Sequence, residues 1–436
     1  MLFQFVVWVA LATGVDAKSA DVAPRIYHSA AAHPANRVHQ ALFVRRDAHG
    51  GEYGHDAVDV LLWPNTKHLL DGASHDAAMK ALTRLIESKD ALEGLAPAAR
   101  AVLQRDLWAA FDWTVRRDEF AATEPTPAIR DLRRVLYAAI RKLALTAEEI
   151  TTLPDIYQQA VEMKVYPARF DAAKPDDAFL PPDLFDPRGG WVSLGEDTRT
   201  QADVYMPLVP RHVEGMSRSV FGVFIRLPEG RAATSAYIRQ LNEFKAPYIS
   251  DDRVIRPSPK LPEFTPGTQV ALLRRGLLID QDGRIQPTKL VESVQIRTYT
   301  PDRPRQHGRH ERRQAVLELV LSPTGLLMKD KVALRPVSAT EMGFSQFGDL
   351  SDPFENRGGE ANSPVIRRII HESCHGCHDN AGVRSFNTYT RSFDHSRTPP
   401  LLVESTLADR ERATSYLKQT RHDWGVFQGL SEGGRN

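Results

Sequence analysis

Residues 363–378 read SPVIRRIIHESCHGCH, and this stretch decides what can be inferred about the carboxyl-terminal part of the 436-residue chain. A Ser-Pro pair opens it, which is typical of an N-cap followed by the first position of a helix. Apolar residues then recur at helical spacing up to the pentapeptide Cys-His-Gly-Cys-His. Positions i, i+3 and i+4 of a helix share one face, so Cys374, Cys377 and His378 are predicted to converge on one patch.

The chain has only two cysteines, and both belong to this pentapeptide. C-x-x-C-H is the attachment sequence of haem c, in which each sulfur adds to a porphyrin vinyl group and the histidine ligates the iron. Residues 363–380 resemble the first helix of a c-type cytochrome. The resemblance implies that Cys374 and Cys377 carry one covalent haem c and that His378 is the proximal iron ligand.

Three other interpretations of the cysteine pair fit less well. A zinc site with His371 as the fourth ligand would place every ligand on one short helix, whereas structural zinc sites usually combine two separated pairs. A redox-active C-x-x-C is expected after a strand in a βαβ context, which the sequence does not show. A disulfide across two intervening residues would be strained on a helix. Haem attachment is therefore the leading interpretation.

The motif leaves the second axial ligand of the iron open. Small c-type cytochromes supply a methionine downstream, but no methionine follows Met342 in this chain. His395 is the distal candidate that we prefer, because imidazole is a good iron ligand and His395 is within reach along the chain. His422 downstream and Met342 upstream are alternatives, and His371 is discounted because it lies on the helix of the proximal ligand. An iron without a distal ligand would be open to peroxide or small gases.

The amino terminus is typical of an export signal, although no Lys or Arg precedes its apolar run. Residues 2–12 form that run, and Val15-Asp16-Ala17 is a small-x-small pattern that predicts cleavage near Ala17. Bacteria attach haem c outside the cytoplasmic membrane, so the resemblance implies a periplasmic or secreted protein. A transmembrane anchor is the weaker alternative for this run, because it is short for a membrane span. No other long apolar segment occurs, which predicts no transmembrane span in the mature chain. The formal net charge of +1 argues against nucleic acid as a partner.

The sequence predicts an α+β multidomain protein. Its parts are a helical N-terminal region, an antiparallel β middle region and a small all-α, cytochrome c-like module at the C-terminus. The predicted boundaries are a signal peptide at 1–17, a mixed then helical domain at 18–165, a Pro/Asp/Gly-rich linker at 166–219, an antiparallel β domain at 220–345 and the haem module at 352–436.

Hydrophobic periodicity supports this division. It predicts helices at 76–88, 97–120, 127–145 and 404–421, and a further helix after a capping box at Thr146 and Glu149. Aromatic residues at helical spacing in the second of these helices, Trp108, Phe111 and Trp113, are interpreted as core. Apolar or alternating runs predict strands at 41–44, 58–62, 219–227, 270–279, 294–299, 316–321 and 332–334, with a turn at 280–283.

Together these features predict an exported mono-haem c-type cytochrome-like protein that transfers electrons to or from a redox partner protein. Two alternatives belong to other classes. One is a haem enzyme, either peroxidase-like with an open iron or an unrecognised upstream oxidoreductase, and the other is a haem-bearing sensor or scaffold. No phosphate loop, nucleophile elbow, zinc-protease helix or dinucleotide fingerprint occurs upstream, so no catalytic residue is assigned and electron transfer is favoured.

Overall fold

A computed structural model defines the fold. It describes residues 26–47, 50–63, 65–121, 123–197, 218–245, 247–251, 254–300, 314–328, 331–337, 341, 352, 354–355, 382–385 and 401–432. These residues form a mixed α and β structure built on an antiparallel sheet, in agreement with the predicted α+β class. The predicted signal peptide, residues 198–217 of the predicted linker, the pentapeptide 374–378 and His395 lie outside the described residues.

Six helices of the described residues precede the sheet in the chain. They are α1 (Pro34–Phe43), α2 (Gly72–Glu87), α3 (Pro97–Ala121), α4 (Pro127–Leu143), α5 (Ala147–Thr151) and α6 (Ile156–Glu162). The four predicted helices in this region are confirmed. Their starts follow from capping, since Thr126 accepts from the Ile129 amide before α4 and the capping box of Thr146 and Glu149 opens α5.

Later helices are α7 (Arg231–Glu243), α8 (Pro323–Leu327), α9 (Leu407–Gln419) and α10 (His422–Glu432). The helix predicted at 404–421 therefore corresponds to α9, and α10 follows it after a short break. No described helix is both long and apolar enough to cross a membrane.

The strands are β1 (Arg45–Arg46), β2 (Glu52–Tyr53), β3 (Val192–Glu196), β4 (Ser219–Arg226), β5 (Tyr248–Asp251), β6 (Val254–Pro257), β7 (Gln269–Ile279), β8 (Ile285–Tyr299), β9 (Gln314–Leu321), β10 (Leu334–Pro336) and β11 (Leu402–Glu404). Seven of them form one antiparallel sheet in the order β10-β9-β8-β7-β4-β3-β11. The predicted turn at 280–283 joins β7 to β8, with Gly283 at φ 83°.

Each face of the sheet packs against a different set of helices. Alternate residues such as Leu273, Val294 and Leu319 belong to the main core, which also contains α3 with the buried Trp108 and Phe111. The predicted core role of these aromatic residues is thereby confirmed. The opposite face of β3 and β4 belongs to a smaller apolar cluster that includes residues of α7 and Tyr299.

The chain returns to this body after the pentapeptide segment. β11 pairs with β3 and forms the edge of the sheet, and α7 contacts both strands. α9 packs against β4 and β8, whereas α10 packs against α3 and α4. The sheet and the helical layer thus contain residues from both sides of the pentapeptide.

Two predicted strands are wrong, and six strands were not predicted, namely β1, β2, β3, β5, β6 and β11. Residues 41–43 end helix α1, which begins at Pro34 after a side-chain cap from His33 to the Ala35 amide. Residues 58–62 are buried but form no strand. In contrast, β3 lies within the stretch interpreted from its Pro, Asp and Gly content as a connection.

Candidate functional site

The predicted haem residues cannot be compared with the described structure. Cys374, Cys377, His378 and the distal candidate His395 all lie outside the described residues. His422 is described as the first residue of α10, and it is exposed to solvent. The assignment of these residues as haem ligands therefore stays a prediction.

What the structure does describe is how the chain is fixed before and after the pentapeptide. The preceding contact, which we call the entry anchor, consists of Asp352, Phe354 and Glu355. Asp352 is 4% exposed, and its carboxylate accepts hydrogen bonds from Arg45 at 2.7 Å and from the Thr66 hydroxyl. Burying a carboxylate is costly unless it is hydrogen-bonded, and these donors offset that cost.

The aromatic part of the entry anchor adds apolar contact. The centroids of the Phe354 and Trp63 rings lie 5.7 Å apart. The Arg45 guanidinium lies over the Phe354 ring, 4.7 Å from its centroid. Glu355 accepts from the backbone amides of Lys67 at 2.7 Å and His68 at 2.8 Å. Burial and the nearby Arg45 lower the pKa of His68 to about 4, so its imidazole is neutral at neutral pH.

The following contact is the exit anchor, a single 3-10 turn at Gly382–Ser385. Val383 is fully buried in the smaller apolar cluster, and its amide donates to Glu263 Oε1 at 2.7 Å. The Ser385 hydroxyl donates to the Gly382 carbonyl at 2.8 Å and lies 2.5 Å from the hydroxyl of Tyr299. Burial raises the pKa of Tyr299, which keeps its hydroxyl protonated.

Gly382 meets both conditions that favour glycine. Its φ is 51°, in the left-handed region that side chains with a Cβ rarely adopt. A Cβ atom there would also lie 1.9 Å from Glu263 Oε1. The turn can approach Glu263 this closely only because residue 382 has no side chain.

A network of charged residues that was not predicted from the sequence joins α3 to the sheet. Asp59 lies 2.8 Å from Arg105 and 2.6 Å from Arg274 between nitrogen and oxygen atoms, while Glu292 contacts both arginines from the other side. Partial burial opposes the charge on Asp59, but Arg274, Arg105 and Arg218 outweigh it and hold its pKa well below the usual range. The arginines and Glu292 are buried and both carboxylates are paired with arginine, so we interpret the network as structural.

A second buried group of charges connects the last two helices with α3. Lys418 is 1% exposed, and its Nζ donates to Asp112 at 2.7 Å and to Asp423 at 2.8 Å. It also lies 5.2 Å from the centre of the Trp108 ring, a cation–π contact. Burial raises the pKa of Asp112 to about 6 despite the attraction of Lys418, whereas Lys418 and Arg421 outweigh burial and lower the pKa of Asp423.

One signal in the sequence could have indicated these groups. Asp112 stands inside an otherwise apolar stretch of α3, and Arg274 and Arg275 interrupt an apolar strand. Charged residues are rarely buried without a partner, so such positions predict buried ion pairs. Which partners they have could not be read, because Lys418 follows Asp112 by about three hundred positions.

Within the described part of the chain, no group of three or more His, Cys, Asp or Glu side chains could hold a metal ion. Comparisons with protein-family models, with curated proteins and with solved structures each gave no match.

Proposed function

We propose that this protein is an exported mono-haem c-type cytochrome-like protein that transfers single electrons. The observation that carries the proposal is the pentapeptide at 374–378, which contains both cysteines of the chain and a histidine immediately after the second. The donor set fits the group, because two thiols can form the thioethers and one imidazole can ligate the iron. The two anchors support the proposal only indirectly, by fixing the ends of the segment that carries the pentapeptide.

Bound haem would supply an iron centre that cycles between the ferric and ferrous states. Cys374 and Cys377 would hold the porphyrin edge, and His378 would hold the iron from one side. His395 is the proposed distal ligand. Two imidazoles would give a lower reduction potential than an imidazole and a thioether, because thioether favours ferrous iron. A redox partner protein is then required to deliver or accept the electron.

One observation favours a second candidate, a peroxidase-like haem enzyme. No methionine follows Met342, so the usual downstream ligand is missing and the iron could have an open position. The two candidates predict different spectra. A low-spin, six-coordinate spectrum that carbon monoxide and peroxide leave unchanged supports electron transfer, whereas a high-spin spectrum that responds to either supports the enzyme.

The proposal is tested by expressing the full chain for export in cells that attach haem c, and by recording the alkaline pyridine spectrum. We expect one haem per chain that resists extraction into acidified acetone. Replacing Cys374 and Cys377 with Ser should abolish the covalent haem. His375→Ala is the matched control, since it changes the pentapeptide but retains C-x-x-C-H.

Two results would overturn the proposal. One is a colourless wild-type protein, and the other is a pigment that acidified acetone removes. Mass spectrometry of the same material tests the proposed export signal, because cleavage near Ala17 gives a mature chain that begins at Lys18.

A further inference from the structure

We infer that the exit anchor positions the haem, with Gly382, Glu263 and Tyr299 as positioning residues that hold the chain just after His378 against the sheet. The inference rests on the proposed function and deepens it. It concerns what fixes the proximal side of the haem to the protein, which the attachment sequence itself does not determine.

The stretch of chain between His378 and the exit anchor is short. His378 precedes Gly382 by only four positions. Four residues of extended chain span at most about 14 Å. Wherever the haem lies, its proximal ligand is therefore tied within that distance of the exit anchor, while the entry anchor is separated from the pentapeptide by a much longer stretch.

Packing and polar contacts hold the turn at Gly382–Ser385 in place. Val383 is fully buried, so it is fixed by packing as well as by the hydrogen bond from its amide to Glu263. Tyr299 is 4% exposed and is the last residue of strand β8, and its hydroxyl contacts Ser385. The burial of Val383 and these two polar contacts attach the short turn to the sheet.

The conformation and surroundings of residue 382 require glycine. Residue 382 has a positive φ and lies against Glu263, so any side chain there must displace the turn or the glutamate. Displacement would free the short chain that leads back to His378. A proximal ligand that is held loosely leaves the haem more exposed to water, and water stabilises the more highly charged ferric form. Loss of the anchor is therefore expected to lower the reduction potential.

The experiment compares Gly382→Ala with the wild-type protein in the full-length, haem-loaded chain. Gly425→Ala is the matched control, because a Cβ atom at Gly425 on α10 meets nothing within 4 Å. Three quantities are measured: covalent haem per chain, the midpoint potential, and the rate of tryptic cleavage between residues 356 and 381. We expect Gly382→Ala to keep the haem, to have a lower potential and to be cleaved several-fold faster, and Gly425→Ala to match the wild type.

A second pair of variants covers the case in which Gly382→Ala does not fold. Glu263→Ala removes the acceptor of the Val383 amide, whereas Glu263→Gln keeps an oxygen in that position. Glu263→Ala should lower the potential and speed cleavage, and Glu263→Gln should restore both. A merely structural contact would change the melting temperature of the two variants without separating their potentials.

The outcomes distinguish this inference from the proposed function. If the wild type carries one covalent haem but Gly382→Ala and Glu263→Ala keep its potential and cleavage rate, the positioning role is refuted and the proposed function stands. If the wild type carries no haem, both fail. A lowered potential in Gly382→Ala and Glu263→Ala, with Glu263→Gln and Gly425→Ala unchanged, supports the inference.

Discussion

Replacement of Lys418 by Met should reveal how strongly the last two helices are bound to α3. The ammonium group is enclosed between Asp112 and Asp423, at 2.7 and 2.8 Å. Removing it leaves two buried carboxylates without their main counter-charge, while Met fills a similar volume. Breaking a buried ion pair from one side costs about 3–5 kcal/mol of unfolding free energy, and we expect Lys418→Met to fall in that range at pH 7.

The sign of the pH dependence follows from the pKa values. Burial already raises the pKa of Asp112 to about 6, and removal of Lys418 raises the folded-state pKa of both carboxylates further. The folded variant then binds more protons than the unfolded chain, so its stability increases as the pH falls. The deficit relative to the wild type should therefore shrink between pH 7 and pH 5.

Urea denaturation at pH 7, 6 and 5 measures this effect. Lys80→Met is the control, because Lys80 is exposed on α2, and surface changes usually alter stability by less than about 0.5 kcal/mol. The triple variant with Asp112→Asn and Asp423→Asn as well should recover part of the loss, since it also removes the unpaired charges. A Lys418→Met protein within about 1 kcal/mol of the wild type at every pH would refute the described arrangement.

Three further predictions concern other buried groups. Burial lowers the pKa of His39 to about 4, below its unfolded value of about 6.5, so the stability contributed by this imidazole is present above pH 6.5 and is lost as the pH falls towards 4. The loss amounts to about 3 kcal/mol. When stability is measured against pH in acid, His39→Phe should show a decline that is shallower by about one proton. A Cβ atom at Gly195 would lie 2.3 Å from Arg410 Nη2, so Gly195→Ala should cost about 1–3 kcal/mol by urea denaturation and less when Arg410 is also replaced by Ala. Glu292→Leu leaves Arg105 and its neighbour Arg274 without one carboxylate, and a loss of about 3–5 kcal/mol is expected by the same assay; an unchanged midpoint would contradict that estimate.

The helices were the most predictable part of the fold because their signals are local. α4 combines a Thr126 cap, a proline at its first position and an apolar stripe at helical period. A capping box in the sequence predicts the start of α5. Each of these features lies within a few residues of the element that it defines.

The errors arose where local sequence does not distinguish between structures. The apolar run at 41–44 is compatible with a strand or with the end of a helix, and only the start at Pro34 decides for α1. β3 and β11 are short, and they form because β3 pairs with β4 and β11 pairs with β3, in each case across a long separation in the chain. No periodicity within three or five residues can predict such partners.

The site divides in the same way. The pentapeptide is a local pattern with a definite chemical meaning, so Cys374, Cys377 and His378 could be proposed from sequence. The exit anchor could not, because the contact of Val383 with Glu263 and that of Ser385 with Tyr299 depend on how the sheet brings distant residues together. Gly382 alone gives no indication of this role, since a glycine has many uses in a chain.

The pairing of β11 with β3 has a consequence for the order in which the protein is completed. During synthesis from the amino end, residues 374 and 377 emerge before residues 402–404, so β3 has no partner on its β11 side at that moment. Asp112 likewise cannot pair with Lys418 until residue 418 has been synthesised. Any enzyme that modifies the thiols of Cys374 and Cys377 on the emerging chain thus acts on a protein whose strand β11 and helices α9 and α10 have not yet been synthesised.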